Sequence, residues 1–333
     1  MKKARIIILI VLLSLIGTLV TFGGIAGTYY LASRNNPTER AELTPKENQT
    51  IEIGEETYEA KRIVNYLVVG IDSTGPMKKS NTYNNTALND FMCLVSFNIT
   101  DKTYFLLPIN RDTMVDIDIM GIAGKPIGTR YTQIAYAHTI GDGLENSFRN
   151  TCRAVSKVLL GLDIERFIGI NMSTVPLIND FVGGVTITLD EDLTVLDSSW
   201  TEGATITLTS ENCMKYIRAR MEVSDGTQLS RMHRQQIYLE EVARKARTTE
   251  YGFSNLVDLL RIVSNYMCMD VTYIDMADVL GYVKEYQFLG IKKIEGTTQK
   301  RNNLIEFIPD PECVEKLVTE LFYEKVESKE SDE

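Results

Sequence analysis

The chain has 333 residues, 44% of them hydrophobic and 24% charged, an ordinary globular balance with room for one large domain or two smaller ones. Its formal net charge of −10 argues against a general nucleic-acid binder, although a local basic site remains possible. Five cysteines, Cys93, Cys152, Cys213, Cys268 and Cys313, lie far apart with no CxxC spacing, so they read as buried free thiols rather than a disulfide framework or a zinc site.

Lys2, Lys3 and Arg5 precede an uncharged run from Ile6 to Ala32. A bilayer core needs about 20 apolar residues as helix, and positive charge before the span keeps the N-terminus cytoplasmic. The run is longer than the apolar core of a cleaved signal peptide, which favours a retained anchor. The expected organisation is a cytoplasmic tail over 1–5, a transmembrane helix over 6–32, a polar linker over 33–60, one domain over 61–325 outside the cell membrane, and a disordered acidic tail over 326–333.

The domain alternates strand and helix patterns. Tyr66–Ile71, Phe91–Phe97, Tyr104–Ile109 and Arg166–Asn171 are short apolar runs typical of strands buried on both faces. Gly143–Leu160, Thr174–Phe181, Ser210–Arg218, Gln228–Arg247 and Pro311–Phe322 read as helices, the first two closed by glycines. Val185–Leu189, Ala204–Leu208, Phe288–Ile294 and Leu304–Ile308 add further strands. The expected class is α/β, a central mixed β-sheet covered by helices.

Charged residues cluster where buried elements begin or end. Asp72 follows the strand at Ile71, and Asp90 precedes the strand at Phe91. Ligand sites in open α/β sheets gather at strand carboxyl ends. Two carboxylates suit Mg²⁺, which takes one or two of them together with phosphate oxygens and water. Arg111 follows the strand ending at Ile109. Arg218 and Arg220 close one helix; Arg231 and Gln235 share a face of the next at i, i+4, with Arg234 beside them. Arginines offer paired hydrogen bonds to phosphate oxygens, so the set suits a pyrophosphate. There is no GxxxxGK[ST], GxSxG or HExxH, and neither His138 nor His233 has an evident nucleophile partner.

In this order, Gly70-Ile71-Asp72, Asn89-Asp90, Ile109-Asn110-Arg111-Asp112-Thr113, Ala135-Tyr136-Ala137, Phe181-Val182-Gly183-Gly184-Val185, Tyr216-Ile217-Arg218-Ala219-Arg220 and Arg231-Met232-His233-Arg234-Gln235 resemble the LytR-CpsA-Psr family. The resemblance implies an enzyme that moves a glycopolymer, such as teichoic acid or capsular polysaccharide, from polyprenyl pyrophosphate to a peptidoglycan hydroxyl. It implies Asp72 and Asp90 as Mg²⁺ ligands, and Asp72 as the acid that assists deprotonation of the acceptor. It implies Arg111, Arg218, Arg220, Arg231 and Gln235 at the pyrophosphate, with Arg234 as a further candidate, and an apolar tunnel for the prenyl tail between sheet and helices. The chain departs from the family pattern at Leu88-Asn89, where Arg-Ser is usual, and at Tyr131, where lysine is usual; Arg130 beside it is the candidate substitute. A carrier-lipid binder without catalysis and a pyrophosphate hydrolase remain as alternatives.

Overall fold

The computed structural model describes residues 50–53, 56–80, 85–121, 125–219, 223, 228–248, 261–271, 275, 278–279, 282–283, 285–302 and 304–326. Among these, no helix is long and apolar enough to cross a membrane; the run Ile6–Ala32 lies outside them.

Two short strands come first, β1 (Thr50–Ile53) and β2 (Glu56–Ala60). Then come β3 (Ile63–Ile71), β4 (Asn89–Asn98) and β5 (Thr103–Pro108). A hairpin of β6 (Met114–Met120) and β7 (Pro126–Gln133) leads through a 3-10 turn at Ile134–Thr139 into helix α1 (Glu145–Val158). β8 (Arg166–Asn171), α2 (Thr174–Phe181), β9 (Val185–Thr188) and β10 (Thr205–Leu208) follow. Next are α3 (Cys213–Arg218) and α4 (Gln228–Thr248), then β11 (Met267–Met269) and β12 (Gln287–Ile291). The hairpin β13 (Gly296–Arg301) and β14 (Leu304–Pro309), helix α5 (Pro311–Phe322) and β15 (Tyr323–Lys325) complete the described chain.

The central sheet has six strands in the order β11-β8-β3-β4-β5-β12. β3 pairs β8 in parallel and β4 antiparallel, so the sheet is mixed, as expected. β3 shows why its sequence is an unbroken apolar run. Leu67, Val69 and Ile71 enter one core with α1 and α5, while Val64, Tyr66 and Val68 enter a second core on the opposite face. Side chains alternate across a strand, so burial on both faces removes the usual polar alternation. Gly169 of β8 has no room for a side chain, because a Cβ there would lie 2.2 Å from the Phe148 ring of α1. A third core joins α2, α3 and α4 to the β9–β10 hairpin and Trp200.

The linker expected over 33–60 needs correction at its end. β2 pairs with β1 and with β15, which seals the chain's two described ends into one small sheet. Glu56 and Lys325 are ion-paired across it, which explains acidic residues inside a strand. Cys93, Cys152 and Cys213 are free and buried, and burial pushes the Cys93 and Cys152 thiols up to about 12. Cys313 is exposed.

Candidate functional site

The site forms where β3 ends and β4 begins. Gly70 stands opposite Phe91 and Ile71 opposite Asn89, so Asp90 is an extra residue in the ladder. A bulge of this kind bends the strand and re-aims a side chain. Asn89 is wholly buried, and its amide donates to the Ile134 carbonyl (3.2 Å) and Thr151 Oγ1 (3.1 Å). That anchor faces α1, which leaves Asp90 on the other side. The Asp72 N–H donates to the Leu88 carbonyl at 2.8 Å, so the two aspartates sit on adjoining, hydrogen-bonded segments.

Each aspartate meets an arginine. Arg111, in the turn after β5, is ion-paired with Asp90. Arg218, the last residue of α3, lies 3.3 Å from Asp72. The sequence places these four in separate clusters, and the fold pairs them, across 146 residues in the Asp72–Arg218 case.

Beside them is an apolar cavity of about 170 Å³ between the sheet and helices α2, α3 and α4. Val68, Gly70 and Ile170 form its sheet wall, and Val175, Ile178 and Ile217 its helical wall. From α4 it takes Arg231, Gln235, Tyr238 and Val242, a single face at helical spacing. Its polar lining is sparse and includes Asp90, Arg231 and Gln235. Gln235 also donates to the Ile217 carbonyl at 3.4 Å. Ile71 and Ile217 line the cavity, so the residues that follow them place the Asp72–Arg218 pair at its edge. Gly70 lines the cavity without a side chain, and a Cβ there would meet Phe91 at 3.2 Å.

Two candidates fall elsewhere, and a third is outside the described residues. Arg234 is fully buried, ion-paired with Glu191 at 2.6 Å and donating to the Ala219 carbonyl. It is a structural cation of the third core, not a lining residue, because it points off the α4 face that carries Arg231 and Gln235. Arg130 is exposed on β7 and does not line the cavity. It cannot stand in for residue 131, because neighbouring residues on a strand point to opposite faces. Arg220 lies outside the described residues.

A buried polar net behind Asp90 carries no sequence motif. Asn85 donates to the His138 carbonyl (2.8 Å) and Ser147 Oγ (3.3 Å), and Thr151 Oγ1 donates to the Ser147 carbonyl (3.2 Å). His138 Nδ1 lies 3.2 Å from the Ala87 carbonyl, which can only accept, so this nitrogen carries the proton. Its ring packs on Phe148, and its Nε2 has no hydrogen-bond partner among the described residues. Burial lowers its pKa to about 4, against opposing pulls from the Ala87 carbonyl and Asp142.

An unfolded histidine titrates near 6.5. Between about 6.5 and 4 the unfolded chain therefore binds a proton that the folded chain refuses, and stability falls as pH falls through that window. The loss reaches about 3 kcal/mol by pH 4. Urea unfolding of His138→Gln should show this part of the pH dependence flattened; an unchanged slope between pH 6.5 and 4 would contradict the buried neutral ring.

The LytR_cpsA_psr family profile matches residues 27–322, and the chain belongs to this family. It is 26% identical over 269 residues to the polyisoprenyl-teichoic acid–peptidoglycan teichoic acid transferase TagU of Oceanobacillus iheyensis, covering 79% of this chain and 77% of that one. It is 24% identical over 260 residues to TagT of Bacillus subtilis, a transferase of the same description, covering 75% and 74%. The fold matches that of B. subtilis TagT with a TM-score of 0.54 at 19% identity, covering 84% of this chain and 96% of that one. It matches protein gbs0355 of Streptococcus agalactiae with a TM-score of 0.58 at 19% identity, covering 78% and 86%. A structure of TagT bound to LI-WTA aligns with a TM-score of 0.55 at 19% identity, covering 84% and 95%.

Proposed function

We propose that this chain transfers a phosphate-linked glycopolymer from a polyprenyl pyrophosphate carrier to a peptidoglycan hydroxyl. The observation that carries the reading is the joining of an apolar cavity to two aspartate–arginine pairs. A prenyl chain suits the cavity and a pyrophosphate suits the arginines. Family membership and relatives described as teichoic acid transferases support it. The run Ile6–Ala32 would hold the domain at the outer face of the cell membrane, beside such a carrier.

In this reading the acceptor oxygen attacks the phosphorus that bears the glycan. The bond from that phosphorus to the prenyl phosphate breaks, and prenyl phosphate leaves. Asp72, exposed at the cavity edge, takes the hydroxyl proton. Arg111 and Arg218 orient the phosphates and stabilise the charge that develops on their oxygens, with Arg231 and Gln235 holding the leaving side. Asp90 and Asp72 fit Mg²⁺, because both are hard carboxylates at one strand end and phosphate oxygens and water complete such a shell. Bound there, Mg²⁺ would neutralise charge on the pyrophosphate.

The direct test follows prenyl phosphate release by the full chain in detergent, with a short glycan–pyrophosphate–prenyl donor, Mg²⁺ and peptidoglycan. Release with glycan joined to the acceptor supports transfer. Release without joining indicates hydrolysis, and binding without release indicates a presenter.

Gly70→Val probes the cavity. It should raise KM for a long prenyl donor about 10- to 30-fold, given about 0.8 kcal/mol per displaced methylene, with less effect on a donor with a short prenyl chain. Equal KM changes for both donors would remove the prenyl chain from the cavity.

A further inference from the structure

In a chain of net charge −10, a patch whose exposed charge is wholly positive calls for a partner. The β13–β14 hairpin is such a patch. β13 is exposed along its whole length and ends in Lys300 and Arg301, which stand opposite Ile305 and Leu304. Neither cation is ion-paired with a described residue. The hairpin's acid, Glu306, is buried and accepts the Gln299 amide at 2.9 Å. Leu304 and Ile305 are exposed beside the cations.

The hairpin is bonded to the residues that follow Arg111. Thr113 pairs with Phe307 in parallel, and the Phe307 N–H donates to the Asp112 carbonyl at 2.9 Å. The Gln133 amide spans the same junction, donating to the Asp112 carboxylate (3.0 Å) and the Ile305 carbonyl (2.7 Å). Ile305 is the cross-strand partner of Lys300, so Gln133 ties the cationic end of the hairpin to Asp112, the residue after Arg111. Asp90 lines the apolar cavity, and its partner Arg111 precedes Asp112, whose carbonyl accepts from the hairpin's Phe307.

We infer that the turn of β13–β14, through Lys300 and Arg301, is a track for the polyanionic chain of the donor, a phosphodiester-linked glycopolymer, beyond its pyrophosphate. This rests on the transferase reading above. A lipid in the cavity and a pyrophosphate at Arg111 leave the glycan end of the donor to run toward this hairpin. Exposed cations hold a single charge weakly and are screened by salt, but a repeating chain offers them a phosphate in every register. Anionic lipid headgroups present the same charge and form the competing arm of the test.

The test uses the full chain in detergent, with lipid-free poly(glycerol phosphate) as probe and Lys300→Glu/Arg301→Glu as variant. Wild type should bind the polymer at low salt, and the variant should bind at least tenfold more weakly. The slope of log affinity against log salt should drop by about two, about one for each cation lost. The milder Lys300→Gln/Arg301→Gln pair should fall between and guards against a folding defect in the first variant. No polymer binding by wild type, or equal binding by both, overturns the inference. So does a variant that loses only its attachment to phosphatidylglycerol vesicles, which would assign the hairpin to a lipid surface. Turnover of a donor bearing one sugar is followed on the wild type in parallel. Failure of that turnover would sink the transferase reading itself, whereas turnover with charge-independent polymer binding would sink this inference alone.

Discussion

Arg111→Ala should lower kcat/KM for polymer transfer by about 100- to 1000-fold, the usual loss when one preorganised donor to developing charge is removed. Arg111 is the side chain best placed for the role. It sits in a turn held from both sides, by the Ala135 N–H on its own carbonyl and by the Gln133 and Phe307 bonds to Asp112. Its guanidinium is already aimed at Asp90, which lines the cavity. Truncation removes the phosphate fork and leaves the Asp90 carboxylate without its partner. The fold should survive, because Arg111 and Asp90 are both part-exposed, at 23% and 15% of their side chains. Thermal melting of the variant checks that point. Arg111→Lys separates charge from shape. A lysine restores the charge but not the planar pair of donors, so it should recover only a small part of the loss. Wild-type transfer by Arg111→Ala would remove the residue from the site.

Much of the fold was legible because local signals agreed with tertiary demands. Thr174–Phe181 and Pro311–Phe322 are helices with the bounds their sequences suggest. Asp310 caps α5, accepting from the Glu312 and Cys313 N–H groups, and Pro311 starts it, while positive-φ glycines at 183 and 184 end the α2 segment. Two strands that went unread, β2 and β13, lacked an apolar pattern. β13 reads Gly-Thr-Thr-Gln-Lys-Arg and is exposed on both faces, so hydrophobic periodicity could not mark it. β2 is rich in glutamate and is held by pairing with β15, far away in sequence. β6 did carry the strand alternation, Val115, Ile117 and Ile119 with aspartates between them, and its Asp118 is ion-paired with Arg153 and Lys157 of α1.

The site divides in the same way. Asp72, Asp90, Arg111 and Arg218 stood out because each borders a buried element, yet their pairing depends on tertiary contacts. The anchoring of Asp90 through Asn89 and Thr151 left no trace, because a threonine inside a helix carries no motif. Arg130 could have been set aside by strand parity, had β7 been recognised.

Arg234→Met should destabilise the fold and leave the intrinsic chemistry of the surviving folded protein close to wild type. Helix spacing made Arg231 and Arg234 look alike; their surroundings separate them. Arg231 lines the cavity, whereas Arg234 is wholly buried, with one nitrogen on Glu191 and another on the carbonyl of Ala219. Ala219 follows Arg218, so the buried arginine ties α4 to the end of the helix that presents Arg218. Removing one partner of a buried ion pair costs about 3–5 kcal/mol, because the other charge stays buried without compensation. Glu191, with 19% of its side chain exposed, can regain some water, which places the expected loss near the lower end, about 3 kcal/mol. Urea unfolding measures it. Glu191→Gln in the Arg234→Met background should restore part of the stability by removing the stranded charge, while Glu191→Gln alone should be destabilising. A direct phosphate ligand would behave differently: Arg234→Met would then keep the wild-type unfolding midpoint, and its loss would appear as a raised KM for donor under conditions where the protein is fully folded.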